Sequence, residues 1–597
     1  MNASRLAALL LCWPLCAGAG AAAEHLPQAH MFDHSTSDRP VANAAFAPGP
    51  DAKQAAPLSV TLRIAAGPLH TLPDLRQPVL GGRDARLFPG VTLSFVSQGG
   101  TLVPVERGTM VREDRPGAVP SYWRVIPQFG RVWREPADGE WSRAAFPVML
   151  VNDTENHAHQ GLATFLYRNG EVSDLRVQFV QQTAPYLLAP HCVLWGTLSA
   201  TASALDPARA AATRQAADVE LAARLPARPL AELEARLPKD TLAGLGGPVL
   251  PKWQVAVGLV YQGTLYYAAQ PTAYGDYPYP LEMRFGVRSV MKSVAAPLSL
   301  LHLAELYGPG VLDERIGDYV PGLDPKWREV RFIDAANMAT GFGGTGTFRT
   351  QPNDMYDGYL EADYDGWYTA PSVAAKLKHI NEHLKPYPWA PGKVVRYRDQ
   401  DFFLLGLAID GYLKRKRGPD TDAWDVLRRE VLEPVGIFQA PAVRTREPDG
   451  HDGPVWFNAG YYPSLDDLAK IALLYEHLGA QGGKQLLHRE LTRRLLAAEG
   501  ALDKTGDGSP QEQSPATTQP RQLYTMGFHF TPYTPSRTKT LHYLPTMSGF
   551  GDNEVILFPN GIVAIRAAKV AEVPDGESAK SADELATPRA VDRLAPF

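Results

Sequence analysis

Ser289 and Lys292 lie three residues apart at the start of an apolar run with helical spacing. In a helix that begins near Ser289, both side chains lie on one face, one turn apart, so the lysine amine can reach the serine oxygen. A serine hydroxyl is a poor nucleophile until a neighbouring base takes its proton, and partial burial can lower the pKa of a lysine enough for that task. The first N–H groups of the helix would face developing negative charge. The pair is therefore a candidate for nucleophilic acyl transfer.

The same spacing also has a purely structural explanation. Ser289 could cap the helix while Lys292 is exposed to solvent. A second pair with this spacing, Ser536 and Lys539, lies in a turn-rich run that no apolar helix follows. The spacing alone therefore leaves both explanations open.

The elements that must position the pair fall into two halves with different periods. In the first half, apolar residues alternate with polar ones; Val177 and Phe179, for example, alternate with Arg176 and Gln178. Such period-two runs are typical of strands. We expect residues 24–198 to form an all-β, sandwich-like domain.

The rest of the chain is richer in helical patterns. Residues 199–240 are Ala-rich and predict a helical linker, and strand and helix patterns alternate over residues 241–597, as in an α/β or α+β domain. A Gly-, Ser-, Pro- and Gln-rich stretch, residues 506–520, predicts a mobile loop within this second half.

Two further features of the first half could have carried chemistry. His157 and His159 lack partner ligands at metal-binding spacing, so we expect them in a solvated loop. Cys192 is the one cysteine beyond the N-terminal segment, which excludes an internal disulfide from the rest of the chain. Its apolar surroundings predict a buried, inert thiol.

The composition is that of a globular protein. Apolar residues make up 45% and charged residues 21% of the 597 residues, which argues against wholesale disorder. The 59 basic and 64 acidic residues give a net charge of −5, so no basic surplus supports nucleic-acid binding.

The N-terminus has the pattern of a secretory signal peptide. Arg5 is followed by a short apolar run and then by small residues up to Ala23. Residues 1–23 are therefore predicted to be a signal peptide cleaved near Ala23, and no later apolar run is long enough to span a bilayer. We expect a periplasmic or secreted protein.

The second half as a whole resembles the serine β-lactamase and penicillin-binding-protein family, in particular its class C and esterase-like branch. The family's Ser-x-x-Lys signature matches Ser289 and Lys292. Further blocks resemble the family in the same order along the chain, at residues 311–323, 340–342, 433–437, 460–469 and 548–565. The resemblance implies a central antiparallel sheet flanked by helices, and it leaves the first half of the chain uncovered.

The family's second element is a Tyr or Ser followed two residues later by Asn. Here it matches Tyr397, which the resemblance assigns to proton transfer with Lys292. A phenol near an ammonium group is expected to have a lowered pKa. Asp399 replaces the Asn at the substrate-binding position, and a carboxylate cannot donate a hydrogen bond to a substrate amide. It could instead pair with Lys292 and favour the ammonium form.

The third element, Lys-Thr-Gly or His-x-Gly, falls at Met547, Ser548 and Gly549. Ser548 and Gly549 are thus substrate-binding candidates, although Met547 removes the charged or imidazole group. By the same resemblance, the backbone N–H groups of Ser289 and Phe550 would form the oxyanion hole.

The sequence therefore predicts an exported serine hydrolase that cleaves an ester or small amide through an acyl-enzyme on Ser289. A cell-wall D-amino-acid peptidase or a β-lactamase is one alternative. A catalytically inactive binding protein with a hydrolase fold is another. The resemblance implies a small-molecule substrate and no metal or organic cofactor, and nothing indicates a partner for the β half.

Overall fold

The structure, a computed structural model, describes residues 26–33, 39–113, 119–343, 355–356, 358–504 and 521–597. The predicted signal peptide, residues 1–23, and the predicted mobile loop, residues 506–520, lie outside these ranges. Within them, no helix has both the length and the apolar character needed to cross a membrane.

The first half is built on one twelve-stranded antiparallel sheet. Its strands are β1 (Ser59–Ile64), β2 (His70–Leu72), β3 (Val91–Gln98), β4 (Thr101–Pro104), β5 (Arg124–Pro127), β6 (Gly130–Trp133), β7 (Ser142–Val151), β8 (His159–Arg168), β9 (Glu171–Val172), β10 (Leu175–Gln182), β11 (Val193–Leu198) and β12 (Ala200–Ala204). The order across the sheet is β12-β1-β3-β4-β6-β7-β8-β10-β11-β2, with β5 paired to β7 and β9 paired to β8. Two short ribbons, Gly67–Pro68 with Leu87–Phe88 and Val79–Leu80 with Arg83–Asp84, flank it.

This sheet curls on itself, which differs from the two separate sheets of the predicted sandwich. Strand β11 leads directly into β12, although the two lie near opposite ends of the strand order. The rings of Phe95 on β3 and Phe165 on β8 lie 5.9 Å apart across the interior. One curled sheet thus encloses the apolar core that two layers were expected to share.

The outer face of the curled sheet is buried as well. Ala145, Met149 and Leu162 belong to the same apolar cluster as the helices of the second half. All residues of β7 are buried for this reason. In a sandwich, by contrast, one face of a strand is normally exposed to solvent. The described residues therefore do not confirm a separate N-terminal domain, because the two halves share a core.

The region predicted as a helical linker is only partly helical. It contains β12, which pairs with β1, before helices α2 (Pro207–Ala222) and α3 (Leu230–Glu234). Helix α1 (Ala29–Phe32) lies earlier in the chain. Ala210 and Ala217 on α2 pack against residues of β3 and β4. The linker is thus partly an edge of the first sheet.

The second half contains a nine-stranded sheet with helices on both faces, as predicted. Its strands are β13 (Ala227–Pro229), β14 (Gln254–Tyr261), β15 (Thr264–Ala269), β16 (Leu502–Asp503), β17 (Leu523–Thr525), β18 (Phe528–Tyr533), β19 (His542–Gly549), β20 (Asn553–Leu557) and β21 (Val563–Ala568), in the order β13-β15-β14-β21-β20-β19-β18-β17-β16. Every pairing is antiparallel except that of β13 with β15. The helices are α4 (Val290–Tyr307), α5 (Phe332–Ala336), α6 (Tyr364–Thr369), α7 (Val373–His383), α8 (Asp399–Arg417), α9 (Ala423–Leu427), α10 (Leu465–Glu476), α11 (Arg489–Leu496) and α12 (Ala586–Leu594).

Helix α4 lies at the centre of the larger core. It is apolar around nearly its whole circumference, and its residues from Val290 to Ala304 are buried, which is typical of a helix enclosed on all sides. It packs against β19, β20 and α8, while residues of α3 and α12 cover the other face of the sheet. The first turn of α4 is thereby fixed at the end of β19.

Candidate active site

Ser289 and Lys292 come together at the N-terminus of α4. Ser289 is the residue before the helix and is half-buried, whereas Lys292 is 1% exposed. The Lys292 Nζ donates to the Ser289 Oγ at 2.7 Å and to the backbone carbonyl of Asn458 at 2.8 Å. The exposed lysine of the structural explanation is therefore not what the structure shows.

A buried carboxylate faces the same amine. The Asp399 Oδ1 lies 2.6 Å from the Lys292 Nζ, and Asp399 is 4% exposed at the first turn of α8. Burial lowers the pKa of Lys292 below its usual value, and the negative charge of Asp399 opposes that shift. Of the two effects expected for Asp399, the geometry shows the pairing with Lys292.

Two tyrosines hold Asp399 from its other side. The Tyr364 phenol donates to Asp399 Oδ2 at 2.7 Å, and the Tyr359 phenol donates to the same oxygen at 3.1 Å. Protein groups thus occupy both carboxylate oxygens, so the substrate-binding role of Asp399 stays a prediction. Sequence reasoning missed these tyrosines, although the concentration of tyrosines between residues 356 and 368 was a signal for them.

Tyr397 completes the group around the serine. The Lys292 Nζ lies 4.9 Å from the centre of its ring, and its phenol is close enough to the Ser289 side chain for that hydroxyl to act on its pKa. Burial, and next the charge of Asp399, raise the pKa of Tyr397 far above its usual value. The sequence-based expectation of a lowered phenol pKa is wrong, because it considered the ammonium group without the burial of the phenol and without the carboxylate.

The end of β19 touches the start of α4. A Cβ atom at Gly549 would lie 2.1 Å from the Val287 carbonyl oxygen and 3.1 Å from the Ser289 backbone nitrogen, so only glycine fits there. Ser548 is half-buried, and Met547 points into the core, fully buried. Within the described ranges, neither the Ser289 nor the Phe550 backbone N–H donates to a protein acceptor. Their role as oxyanion donors stays a prediction.

An imidazole that sequence reasoning missed lies close to this group. His529, on β18, has its ring centre 6.2 Å from that of Tyr397. Burial, together with the nearby charges of Lys504 and Lys292, holds its pKa well below the usual value, so the ring is neutral. Its position on the strand next to β19 gave no local sequence signal.

The first half of the chain borders the site directly. The rings of Tyr186, from the loop after β10, and Phe550 meet edge to face with centres 5.9 Å apart. The Arg288 guanidinium lies 5.6 Å from the Phe550 ring centre. Phe550 is 46% exposed at this edge. Because the resemblance covered the second half alone, this contribution was missed.

The two histidines of the first half are buried rather than solvated, which corrects the sequence-based expectation. His157 and His159 are 0% exposed, and their ring centres lie 4.6 Å apart. Burial lowers the pKa of both, so the rings are neutral. The loop before β8 is enclosed because it packs against the segment that leads to Ser289.

Cys192 is buried as predicted, and burial raises its pKa to about 12. At that pKa the thiol is not ionised near neutral pH and is a poor nucleophile.

Comparison with known proteins gives matches among solved structures. The chain is similar to an octameric penicillin-binding protein homologue from Pyrococcus abyssi, with 15% identity over 57% of this chain and 73% of that chain and a TM-score of 0.37. It is also similar to a family VIII carboxylesterase, with 14% identity over 57% and 90% of the two chains and a TM-score of 0.38. A class C β-lactamase in complex with cefoxitin is 15% identical over 60% and 98%, with a TM-score of 0.36.

These solved structures belong to the β-lactamase-like and penicillin-binding-protein-like serine hydrolases, the group that the sequence resembles. No family model matches the chain, and no curated protein matches it.

Proposed function

We propose that the chain is a serine hydrolase that cleaves an ester or a small amide through an acyl-enzyme on Ser289. The observation that carries the proposal is the 2.7 Å contact between the Ser289 Oγ and the buried amine of Lys292 at the start of α4. A hydroxyl that shares a hydrogen bond with a lysine of lowered pKa has the base that nucleophilic attack requires.

Lys292 is the general base of the proposed mechanism. Its neutral amine takes the Ser289 proton while the Oγ attacks the substrate carbonyl carbon, and the carbonyl oxygen becomes an oxyanion beside the N–H groups of Ser289 and Phe550. Tyr397 keeps its proton, since its pKa is raised, so it is suited to donate to the leaving group and to recover a proton from Lys292. Collapse of the tetrahedral intermediate releases the alcohol or amine and leaves the acyl group on Ser289.

Water then removes the acyl group by the reverse proton transfers. A water molecule attacks the acyl carbon and gives one proton to Lys292, and the Ser289 Oγ leaves and takes that proton back. The products are a carboxylic acid and regenerated enzyme, so the reaction consumes one water molecule.

An ester or small amide is favoured over a β-lactam because two recognition groups differ. Asp399 has no amide N–H to donate, and Met547 places a buried thioether where the family has a charged or imidazole group. Comparing turnover of a short-chain nitrophenyl ester with that of a chromogenic cephalosporin tests this preference. Higher kcat/KM for the ester is expected. Faster cephalosporin turnover would favour the β-lactamase alternative, and no turnover of either compound would favour the D-amino-acid peptidase or an inactive binding protein.

The proposed organisation of the chain follows the sequence. A signal peptide over residues 1–23 directs export to the periplasm or medium, and residues 24–198, 199–240 and 241–597 are the β-rich region, the linker and the hydrolase region. N-terminal sequencing of the protein recovered from outside the cytoplasm tests the first step, with a mature terminus near residue 24 expected.

The pH dependence of activity tests the Lys292–Asp399 pair. In the Asp399→Asn variant, the pH at which kcat/KM reaches half of its plateau is expected to fall. The negative charge of Asp399 raises the pKa of Lys292, so its removal lets the amine lose a proton at lower pH. Activity that needs the free amine then begins at lower pH. The measurement is a pH profile of nitrophenyl ester hydrolysis.

Asp365→Asn is the matched control. The Asp365 Oδ1 accepts from the Tyr186 phenol at 3.1 Å, so the residue carries a nearby charge that does not touch Lys292. Its pH midpoint is expected to stay in place. A midpoint that moves to higher pH in Asp399→Asn would contradict the base assigned to Lys292.

A further inference from the structure

Three side chains with metal-ligating atoms converge outside the catalytic group. His379 and His383 lie four residues apart on the last turns of α7, and Asp363 lies just before α6. One ligand atom from each residue falls within 4.8 Å of the other two. The side chains of His379, His383 and Asp363 are 28%, 41% and 42% exposed, so the cluster lies near the surface.

The Asp363 carboxylate lies close to both imidazoles. Asp363 Oδ2 lies 2.6 Å from His379 Nδ1 and 3.7 Å from His383 Nε2. Ligand atoms around a tetrahedral zinc ion, each about 2.0–2.1 Å from the metal, stand about 3.3 Å apart, so a bound ion would require the Asp363 carboxylate to move slightly away from His379 and toward His383.

The orientation of His379 is the second indication of a ligand. Its Nδ1 is shielded from solvent and has no hydrogen-bond partner of acceptable geometry among the described residues, although a carboxylate oxygen is 2.6 Å away. The oxygen therefore lies to the side of the direction in which a ring N–H or lone pair points. Two ligands that flank one cation have this arrangement, whereas a hydrogen-bonded pair points donor to acceptor.

The backbone turns Asp363 toward α7. Ala362 and Asp363 both have positive φ, at 59° and 57°, which is uncommon for residues other than glycine. A Cβ atom at Gly366 would lie 2.4 Å from Asp363 Oδ2, so the glycine leaves room for the carboxylate. Residues 362 and 363 thus have a less favourable backbone conformation, and this conformation places the Asp363 carboxylate next to the two histidines.

We propose that His379, His383 and Asp363 bind a zinc-class divalent cation that fastens the segment before α6 to α7. Two imidazole nitrogens and one carboxylate oxygen are ligands that Zn²⁺ prefers, and water would complete a tetrahedral site. Tyr364, the next residue after Asp363, donates to Asp399, so the cation would also steady one partner of the Lys292–Asp399 pair. Zinc binding here does not depend on the proposed hydrolase function.

Isothermal titration calorimetry with Zn²⁺, on the full chain without a polyhistidine tag, tests the site. One equivalent is expected to bind, and binding is expected to weaken by at least about 100-fold in the His379→Gln/His383→Gln double variant. Added Zn²⁺ is expected to raise the unfolding temperature of the wild type and not that of the double variant. Co²⁺ should give the visible absorption of a four-coordinate site in the wild type alone.

His451→Gln is the matched control, because His451 and Asp449 form an exposed His–Asp pair that no third His, Cys, Asp or Glu of the described residues joins. Its Zn²⁺ affinity is expected to equal that of the wild type. Asp363→Asn, which keeps both histidines, is expected to weaken binding less than the double variant. The absence of saturable binding by the wild type, or equal affinity in the double variant, would overturn the proposal.

A second set of contacts, between the two halves of the chain, carries an independent inference. Arg288, directly before Ser289, has a φ of 53°. Its backbone N–H donates to Asn156 Oδ1 at 2.6 Å, and its guanidinium donates to Glu155 Oε2 at 3.2 Å and to the Ala184 carbonyl at 2.6 Å. Residues of the β half thus hold both the backbone and the side chain of the residue before the nucleophile.

These anchoring residues are themselves fixed. Glu155 accepts hydrogen bonds from the backbone N–H groups of Tyr186, Leu187 and Leu188. Burial alone would raise the pKa of Glu155, but His157, Arg288 and these hydrogen bonds outweigh it and hold the pKa far below its usual value. A Cβ atom at Gly286 would lie 2.2 Å from the Asn156 carbonyl oxygen, so the two segments run in close contact.

We infer that Glu155 and Asn156 are positioning residues that set the orientation of Ser289, an inference that rests on the proposed function. In nitrophenyl ester hydrolysis, Asn156→Ala is expected to lower kcat by about ten- to hundredfold, since small misplacements of reacting groups have effects of this size. KM is expected to change little, because the variant alters no group that contacts the substrate.

Gln160→Ala is the control from the same interface. The Gln160 side chain donates to the Arg284 carbonyl at 2.8 Å, a bond of the same type that does not reach the residue before Ser289. It is expected to keep the wild-type kcat. Wild-type protein that a fluorophosphonate does not label on Ser289 would reject the proposed function itself. A labelled wild type with an unchanged kcat in Asn156→Ala, or equal losses in both variants, would reject the positioning role alone.

Discussion

Replacing Ser289 with alanine is expected to lower ester hydrolysis by at least about a thousandfold, because the variant has no oxygen that can form the acyl-enzyme. The change removes one half-buried hydroxyl and leaves the apolar contacts of α4 intact, so the fold is expected to persist. Mass spectrometry after exposure to a fluorophosphonate is the direct measurement. The wild type is expected to gain one adduct on the peptide that contains residue 289.

Ser536→Ala provides the matched control for this experiment. Ser536 has a lysine three residues later, as Ser289 does, but its hydroxyl bonds to Asp592 far from α4. This variant is expected to be labelled and to turn over substrate like the wild type. Labelling that persists in Ser289→Ala would reject Ser289 as the nucleophile.

Replacing Lys292 with methionine is expected to lower kcat/KM by about 10²–10⁴-fold, the contribution typical of a general base. Methionine fills a similar volume, so the loss would come from the missing amine. Because Asp399 is left buried without its cation, the free energy of unfolding is also expected to fall, by about 3–5 kcal/mol. Ester kinetics and urea unfolding measure the two effects.

A double variant separates the loss of the base from the loss of stability. Lys292→Met/Asp399→Asn removes both charges and is expected to recover much of the stability while remaining inactive. Lys539→Met, which changes the lysine of the second Ser-x-x-Lys copy, is expected to keep activity and stability. Recovery of activity in the double variant would show that Lys292 is not the base.

The contact between Ser289 and Lys292 could be predicted because helix periodicity is a local property. The apolar run after Ser289 required a helix, and a helix places Lys292 within reach of the serine. Tyr397 came from a resemblance between sequences; its ring lies 4.9 Å from the Lys292 Nζ, and its role in proton transfer stays a prediction. The direction of its pKa shift could not be predicted, since it depends on how deeply the phenol is buried and on how closely the Asp399 carboxylate approaches.

The first half was harder to predict because its polar residues are not on a solvent-exposed face. The Gln178 amide donates to the Val41 carbonyl and to Asn43, and the Arg176 guanidinium donates to the Arg39 carbonyl. Both residues alternate with apolar neighbours as they would on an exposed strand, yet both are 0% exposed. Alternation shows that the two faces of a strand differ, and it does not show that one of them meets water.

The contacts of Glu155 and Asn156 with Arg288 could not be predicted from the sequence for a related reason. Glu155 and Asn156 lie more than a hundred residues before Ser289, and nothing in their local sequence marks them as partners. The zinc-site candidates were missed because Asp363 joins His379 and His383 only after the chain has turned.

The shared core sets how this chain can be divided. A cut near residue 240 would expose Met149 and Leu162 to water on one fragment and the apolar side chains around α4 on the other. Exposed patches of this kind promote aggregation, so neither fragment is expected to remain soluble alone. Thermal unfolding of the two halves should accordingly occur in one cooperative step. Exchanging the β half for an unrelated domain would require compensating changes in the apolar residues that both halves contribute to the shared core.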